Sequence, residues 1–428
     1  MATGAPKKTR KRKIPPMDFS DCIESTPEDT LKFILGLEIP DWKLIGSRIG
    51  DYEGTSVTHF FLEYCGDAAF CEECGCKKTL YDYKERCWRH ANLDKAVCYI
   101  HAKIPRFKCI NCGKISQIDV PWADPNVTYS KRFMEVAIEH LAHMSIAATS
   151  RLMICSWSVL DDIVGRIVKD HLDEMDLSGV KRIRIDETSA KKRHRYITVI
   201  TDADTGDIIF ITKGKDSKTI AEFADWLISH KGKPENIVLM ASDFGESFIL
   251  GAKEHLPNAL NAYDPFHLIQ LGNQKLDKDR SVNQVNGHRL KSIRYALLKN
   301  KANLTEEEER IVTDISLDNG IIGLSYQMNM SLRQTLELDD AELALMYLEM
   351  WVDWVDKEGS ANFRALSKTV RKHMEGIILA LETGMNNGYQ EGLNGRIQFS
   401  KRVANGYRKE SRLARIVFFR DSIRGLTS

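Results

Sequence analysis

The chain has 428 residues, of which 43% are hydrophobic and 28% charged, with a formal net charge of +1 at pH 7. Such a length holds roughly two to four domains, and no apolar run approaches the ~20 residues of a membrane helix. The basic N-terminus has no apolar stretch behind it, which excludes a secretory signal, and ten cysteines are too few for a disulfide scaffold in a chain of this size; a cytoplasmic protein with reduced thiols is expected.

Near-neutrality conceals patterning. Six of the seven residues at 7–13 are basic, 396–420 holds eight basic residues against the single acid Glu410, and 306–309 is an acidic run. Phosphate contacts need local positive surface rather than a high overall pI, so nucleic acid stays open as a partner.

In chain order, residues 1–29 form a basic tail without apolar periodicity and are expected to be disordered. The run could contact phosphates or only keep the chain soluble, and it resembles a nuclear-import signal, as short basic runs do by chance. Residues 30–125 read as a small β-rich domain, with strands at 43–49, 57–64, 86–93 and 96–104. It carries two knuckles, Cys71-Glu-Glu-Cys74-Gly and Cys109-Ile-Asn-Cys112-Gly. The glycine after each knuckle frees the turn, so backbone N–H groups can point at thiolates that would otherwise repel. One structural Zn²⁺ on Cys71, Cys74, Cys109 and Cys112 is expected, against four buried free thiols. Lacking an open coordination position, it would stabilise the fold rather than catalyse. The 34 residues between Cys74 and Cys109 require a β-hairpin between the knuckles. Cys65, Cys76, Cys87 and Cys98 have no partner spacing and are expected as core or edge thiols.

Residues 126–175 switch to helical period. Ser130 caps a helix to about His143, with Phe133, Val136, Ala137 and Leu141 on one face. A short helix at 145–152 and a longer one at 156–172 follow, together a helix-turn-helix pattern that any three-helix bundle also shows. Arg151, Ser156 and Ser158 are the DNA-contact candidates, and Trp157 is expected in the core.

Residues 176–270 alternate strand and helix. Strands are expected at 182–185, 195–201 and 208–212, then a helix capped by Ser217 to Ile228, a strand at 236–241, a helix at 246–256 and a strand at 259–263. Three antiparallel strands, a helix, a parallel strand, a helix and a further strand form the order of a ribonuclease-H-like domain, with strand one central and strand four its parallel neighbour. Residues 271–380 lose the strand signal and read as an all-helical insertion, with amphipathic stretches at 287–298, 306–315 and 339–354. Trp351 and Trp354, three apart, are expected in its core. Residues 381–428 complete the catalytic core: a helix places Glu391 and Asn394 on one face, and the basic stretch follows with Phe399, Tyr407, Phe418 and Phe419 interleaved. The architecture is thus a multidomain α+β and α/β chain.

The chemistry centres on 181–190. Ile183 and Ile185 alternate with Arg182 and Arg184, and Asp186 stands where the apolar run stops: either a buried strand delivering a carboxylate, or a strand ending in a solvated turn. Strand order gives Asp186 a neighbour in Asp243, and Glu391 lies on a helix opening a basic stretch; the three acids are 57 and 148 positions apart. Phosphoryl transfer on DNA needs two hard cations a few ångströms apart, which a bridging Asp and two further carboxylates can hold. Three mutually repelling carboxylates cost stability unless metal binds. Glu187 falls on the opposite strand face and ranks below these three.

These motifs resemble the ISL3-type transposases of the DDE class: Ile185-Asp186-Glu187-Thr188, Ser242-Asp243, Leu256-Pro-Asn-Ala259 leading to Asp264-Pro-Phe-His267, Glu391-Gly-Leu-Asn394, and the tail with Arg402, Gly406-Tyr407-Arg408 and Phe418-Phe419-Arg420. The knuckles and helix-turn-helix match that family's order, so the resemblance covers nearly the whole chain. It implies a strand-transfer enzyme that uses two Mg²⁺ (or Mn²⁺) ions on Asp186, Asp243 and Glu391. The substrates implied are the terminal inverted repeats of its own element and a target DNA. Asp264 and Asn394 would orient the metal-holding acids, and His267 would serve the fold. Arg396, Lys401, Arg402 and Arg408 join the DNA-contact candidates. A homodimer or higher oligomer at the nucleoid, with no membrane, is implied. Phe244 and Pro265 depart from the family's usual Met and Arg. A catalytically silent DNA-binding protein and a ribonuclease-H-like nuclease are the alternatives.

Overall fold

A computed structural model describes residues 26, 29, 32, 33, 36, 41–67, 70–191, 195–214, 216–243, 245–283, 294–318, 320–385, 388–407 and 409–423. The basic tail at 7–13, Phe244, Arg408, the first part of the expected helix at 287–298 and the side chain of Glu391 lie outside what is described. The chain divides into two compact units, Met1–His140 with Ser150–Cys155, and Leu141–Thr149 with Ser156–Ser428.

The first unit is built on β1 (Trp42–Tyr52), β2 (Thr55–Tyr64), β3 (Lys78–Leu93), β4 (Ala96–Cys109) and β5 (Ile115–Gln117). The sheet order is β1-β2-β4-β3 with β5 on β4. β3 and β4 are the antiparallel hairpin that the spacing of the knuckles requires, and β2 joins β4 in parallel. The strand expected to stop at Ile104 runs on through Pro105 to Cys109. Pro105 falls where β2 has made its last pair, at Lys103, and β5 makes its first, at Arg106, so a missing N–H is tolerated there. Period-two alternation buries Phe60, Leu62, Trp88, Ile100 and Ile104 on one face, and Trp122 meets Trp42 and Trp88 edge-on at 4.7 and 5.4 Å.

Three helices follow: α1 (Lys131–His143), α2 (Ile146–Met153) and α3 (Trp157–Glu174). Each begins on a serine whose hydroxyl accepts a first-turn N–H: Ser130 from Phe133 at 3.1 Å, Ser145 from Ala148 at 3.2 Å and Ser156 from Val159 at 3.4 Å. Trp157 is 37% exposed rather than core, and the Arg412 guanidinium lies 4.8 Å over its ring. A large side chain in the first turn of an amphipathic helix has been covered by a distant cation instead of by the core.

The second unit carries β6 (Arg182–Lys191), β7 (Arg195–Asp202), β8 (Ile208–Lys213), β9 (Leu239–Ser242) and β10 (Leu260–Tyr263), in the order β10-β9-β6-β7-β8. β6, the first strand, is central; it is antiparallel to β7 and parallel to β9, as expected. Two helices, α4 (Ser217–Ser229) and α5 (Glu246–His255), follow β8 and β9. They contribute Phe223, Leu227 and Phe248 to a core with Ile183, Ile185 and Ile200. Asp216, not Ser217, takes the N-cap position of α4. β6 does not end at Asp186: its pairing with β7 continues to Lys191.

No strand follows β10 among the described residues. The helices are α6 (Pro265–Val282), α7 (Arg294–Leu298), α8 (Glu306–Asp318), α9 (Gly320–Leu336), α10 (Ala341–Glu358), α11 (Ala361–Lys372), α12 (Met374–Thr383), α13 (Gly388–Val403) and α14 (Glu410–Ser422). One hydrophobic core joins α6 to α12. Trp351 is buried and its indole N–H donates to the Met328 carbonyl at 2.8 Å, whereas Trp354 packs at the margin and donates to Glu358 at 3.1 Å. A buried carboxylate, Asp279, is satisfied by Ser325, Ser360 and Asn362 at 2.6–2.7 Å. Part of the basic C-terminal stretch is committed to the protein: Arg415 pairs with Asp161 at 2.7 Å, and Arg420 donates to Ser400 and to the Met144 and Leu141 carbonyls.

Candidate active site and cysteine cluster

The site forms where the parallel pair β6 and β9 stops. Their register sets Arg182 against Leu239, Ile183 against Met240 and Arg184 against Ala241. Carrying that register two places further puts Asp186 level with Asp243, just past the end of β9. Ile183 and Ile185 anchor one face of β6 in the core, so the alternation sends Asp186 to the other.

The Asp186 carboxylate is held by both oxygens. Oδ1 accepts the Glu187 N–H at 2.7 Å, and Oδ2 accepts the Asn394 amide at 2.5 Å. Burial pushes its proton affinity up, the Asp243 charge adds to that, and the Glu187 N–H, Asn394 and His267 oppose it. Asp243 Oδ1 accepts the Gly245 N–H at 3.0 Å. A Cβ at Gly245 would lie 2.8 Å from that oxygen, so a side chain there would push the Asp243 carboxylate from its place.

Asp264 follows β10 and is fully buried. It caps α6, accepting the Phe266 N–H at 3.1 Å through Oδ1, while Oδ2 meets His267 Nδ1 at 2.9 Å. Pro265 occupies the first turn of α6, where its missing N–H costs no helix bond, and this accounts for its place after Asp264. The bond to Asp264 holds His267 above the ordinary imidazole value against its burial, with the charges of Asp186 and Asp243 adding to the effect. His267 thus belongs to the electrostatic environment of both acids, beyond the purely structural part expected of it. The opening strand's arginines are occupied: Arg182 pairs with Asp204, and Arg184 donates to the Ala203 carbonyl at 2.8 Å.

Helix α13 brings the last segment to this edge. Glu391 lies on it one turn before Asn394. One residue not anticipated follows, Gln398, which donates to Thr188 Oγ1 at 2.9 Å, and Lys401, expected at phosphate, donates to the Ser189 carbonyl. A polar stripe at 391, 394, 398 and 401 on one helix face was the available signal. Of the other DNA-contact candidates, Arg151, Ser156, Ser158, Arg396 and Arg402 are exposed, although Ser156 already caps α3.

In the first unit Cys71, Cys74, Cys109 and Cys112 converge, with all four Sγ atoms within 4.8 Å of one another. Cys71 and Cys112 are 3.7 Å apart, Cys74 and Cys109 3.4 Å. Zn–S bonds of about 2.3 Å in a tetrahedron give S···S edges of about 3.8 Å, so the donor set and its size fit zinc. Gly75 and Gly113 close the two knuckles with φ of 66° and 72°, the left-handed region that glycine enters freely. The N–H groups of Cys74, Cys76 and Cys112 hold the Cys71, Cys74 and Cys109 thiols below their ordinary value. Cys112, although the Lys114 N–H pulls it down, is pushed up to about 11 by Cys109 and the other thiols. Four crowded sulfurs in this state call for a cation. Cys98 is buried and Cys65 and Cys87 are exposed, while Cys76 borders the cluster.

Residues 183–417 match the family model of the ISL3-type DDE transposases, described as a transposase, and residues 118–171 match the helix-turn-helix domain of transposase family ISL3. The chain belongs to the ISL3 transposase family. Similar proteins include the transposase for insertion sequence element IS1557 of Mycobacterium tuberculosis, 26% identical over 374 residues, 80% of this chain and 83% of that protein. The transposase for insertion sequence element IS1001 of Bordetella parapertussis is 23% identical over 359 residues, 82% of this chain and 88% of the relative. The transposase therefore combines a helix-turn-helix DNA-binding module with a transposase domain. Among the described residues no helix is long and apolar enough to cross a membrane.

Proposed function

We propose that this transposase binds the terminal inverted repeats of its own insertion sequence and catalyses metal-dependent cleavage and strand transfer of DNA, with Asp186, Asp243 and Glu391 as its catalytic acids. The observation that carries this reading is the β6–β9 register, which levels Asp186 with Asp243, together with the Asn394 bond that ties the helix bearing Glu391 to Asp186. The central first strand with its parallel fourth strand supports a ribonuclease-H-like core over 176–270 and 381–428, interrupted by a helical insertion at 271–380. Residues 30–125 form the zinc module in this reading, and 126–175 the helix-turn-helix.

Hard carboxylate oxygens, one on β6 and one just past the end of β9, suit Mg²⁺ or Mn²⁺. Two such ions, when bound, activate the attacking oxygen and stabilise the leaving 3′-oxygen. The protein's part is to orient the acids. The Glu187 N–H and the Asn394 amide fix the plane of the Asp186 carboxylate, and the Gly245 N–H does the same for Asp243. Asp264 fixes the ring of His267 beside them. One Zn²⁺ on the four-cysteine cluster would pin the β3–β4 hairpin. Joining two element ends in concert requires both to be held at once, which favours at least a homodimer.

Glu391→Gln is expected to bind end DNA with unchanged affinity and to lose Mg²⁺-dependent cleavage; a variant that still cleaves would overturn the assignment of the acids. Imperfect inverted repeats, bracketed by short direct repeats beside the coding sequence, separate this reading from that of a silent DNA-binding protein.

A further inference from the structure

Beyond Asp186, the edge of β6 is fastened to α13 at three levels. Asn394 donates to Asp186 at 2.5 Å, Gln398 to Thr188 Oγ1 at 2.9 Å, and Lys401 to the Ser189 carbonyl. Lys401 also donates to Gln398 Oε1 at 2.9 Å, so the Gln398 amide is used at both ends. Thr188 itself is buried. The spacings match. From Asn394 to Lys401 a helix rises about 10 Å, and from Asp186 to Ser189 a strand also advances about 10 Å. The helix therefore runs beside the strand with its polar face in step with it, and position 391 is one turn earlier on that face.

We infer that Gln398 is a positioning residue: through Thr188 it locks the register of α13 on β6 and so sets where Glu391 stands relative to Asp186. This rests on the catalytic acids proposed above. Asn394 and Lys401 hold the two ends of this stretch, Lys401 also donating to Gln398 Oε1, and the Gln398 bond to the buried Thr188 between them fixes the face that the helix turns to the strand. Gln398 is suited to the task because its amide donates to the Thr188 hydroxyl while its oxygen receives Lys401, which neither an acid nor a base can reproduce unchanged.

The test is Mn²⁺ binding to the full chain without DNA, followed by titration calorimetry, with zinc content and melting temperature recorded in parallel. Gln398→Ala and Thr188→Val are each expected to weaken Mn²⁺ affinity about tenfold. Their combination should weaken it no further than either alone, because both break one bond. Thr188→Ser keeps the hydroxyl and should bind as the parent does. Wild-type affinity in Gln398→Ala, additive losses in the double variant, or a Thr188→Ser loss equal to that of Thr188→Val would each overturn the inference. Asp186→Asn is the control: unchanged Mn²⁺ affinity there would instead overturn the reading of the acids, and this inference with it.

Discussion

Arg420→Met separates two uses of the basic C-terminal stretch. Arg420 donates to Ser400 Oγ at 2.6 Å, to the Met144 carbonyl at 3.0 Å and to the Leu141 carbonyl at 3.3 Å. The two carbonyls stand where a helix ends and its acceptors run out of partners. A guanidinium there answers both the unpaired oxygens and the negative end of the helix dipole. Methionine keeps an apolar stem and deletes the charged donors, together with the guanidinium that lies 5.8 Å over the Phe399 ring. Bonds from a charged donor contribute roughly 1.5–3 kcal/mol each. The Ser400 hydroxyl retains its bond to the Arg396 carbonyl, so the loss from the two carbonyl bonds should be about 3–6 kcal/mol. In a unit of this size each kcal/mol moves the melting temperature by about 2–4 °C. The expected result is a melting temperature lower by about 10 °C, with the salt dependence of DNA binding unchanged. If Arg420 served phosphate instead, stability would hold, and the slope of log K against log salt would fall by about 0.9. That pair of results would refute the structural role.

Three further outcomes are expected. Cys109→Ser should lose zinc and end-specific DNA binding together, measured by metal analysis and gel shift; a full zinc equivalent in the variant would count against the cluster. Trp351→Phe removes the indole donor to Met328 from a buried site and should lower stability in urea by about 2–3 kcal/mol, whereas no shift in midpoint would place the ring outside the core. Burial holds His373 below the ordinary imidazole value, aided by the Lys372 charge and opposed by Glu246, and its ring meets Tyr263 edge-on at 4.7 Å. A depressed folded value means that this contribution is complete above about pH 6.5 and is lost as the pH falls below it. His373→Gln should therefore flatten the fall in melting temperature between about pH 7 and about pH 5, and an unchanged slope would exclude the residue as the titrating group.

Much of the site could be read from local pattern. The Cys-x-x-Cys-Gly knuckles are legible because each cysteine pair and its turn glycine are neighbours in sequence. The helix starts at Ser130, Ser145 and Ser156 are legible because a cap acts on N–H groups within its own first turn. The end of β6 was misread, because the pairing that carries it past Asp186 to Lys191 comes from β7 and not from its own composition. Trp157 was misplaced for the same kind of reason: what covers it is Arg412, from a helix at the far end of the chain.

By itself, then, the sequence determined the periods, most of the caps and the knuckles, since each of these depends on residue type and on spacing within a turn or a strand. Only the tertiary structure decided which polar groups meet. A count of positive charge does not distinguish an arginine aimed at phosphate from Arg415 on Asp161 or Arg420 on two carbonyls. Nor does strand periodicity disclose that Asp186 receives Asn394, and Thr188 receives Gln398, across more than two hundred positions of chain. Those bonds exist because a helix rising 1.5 Å per residue and a strand advancing about 3.3 Å fall into step over one short stretch, a coincidence of geometry that appears only when the two are laid side by side.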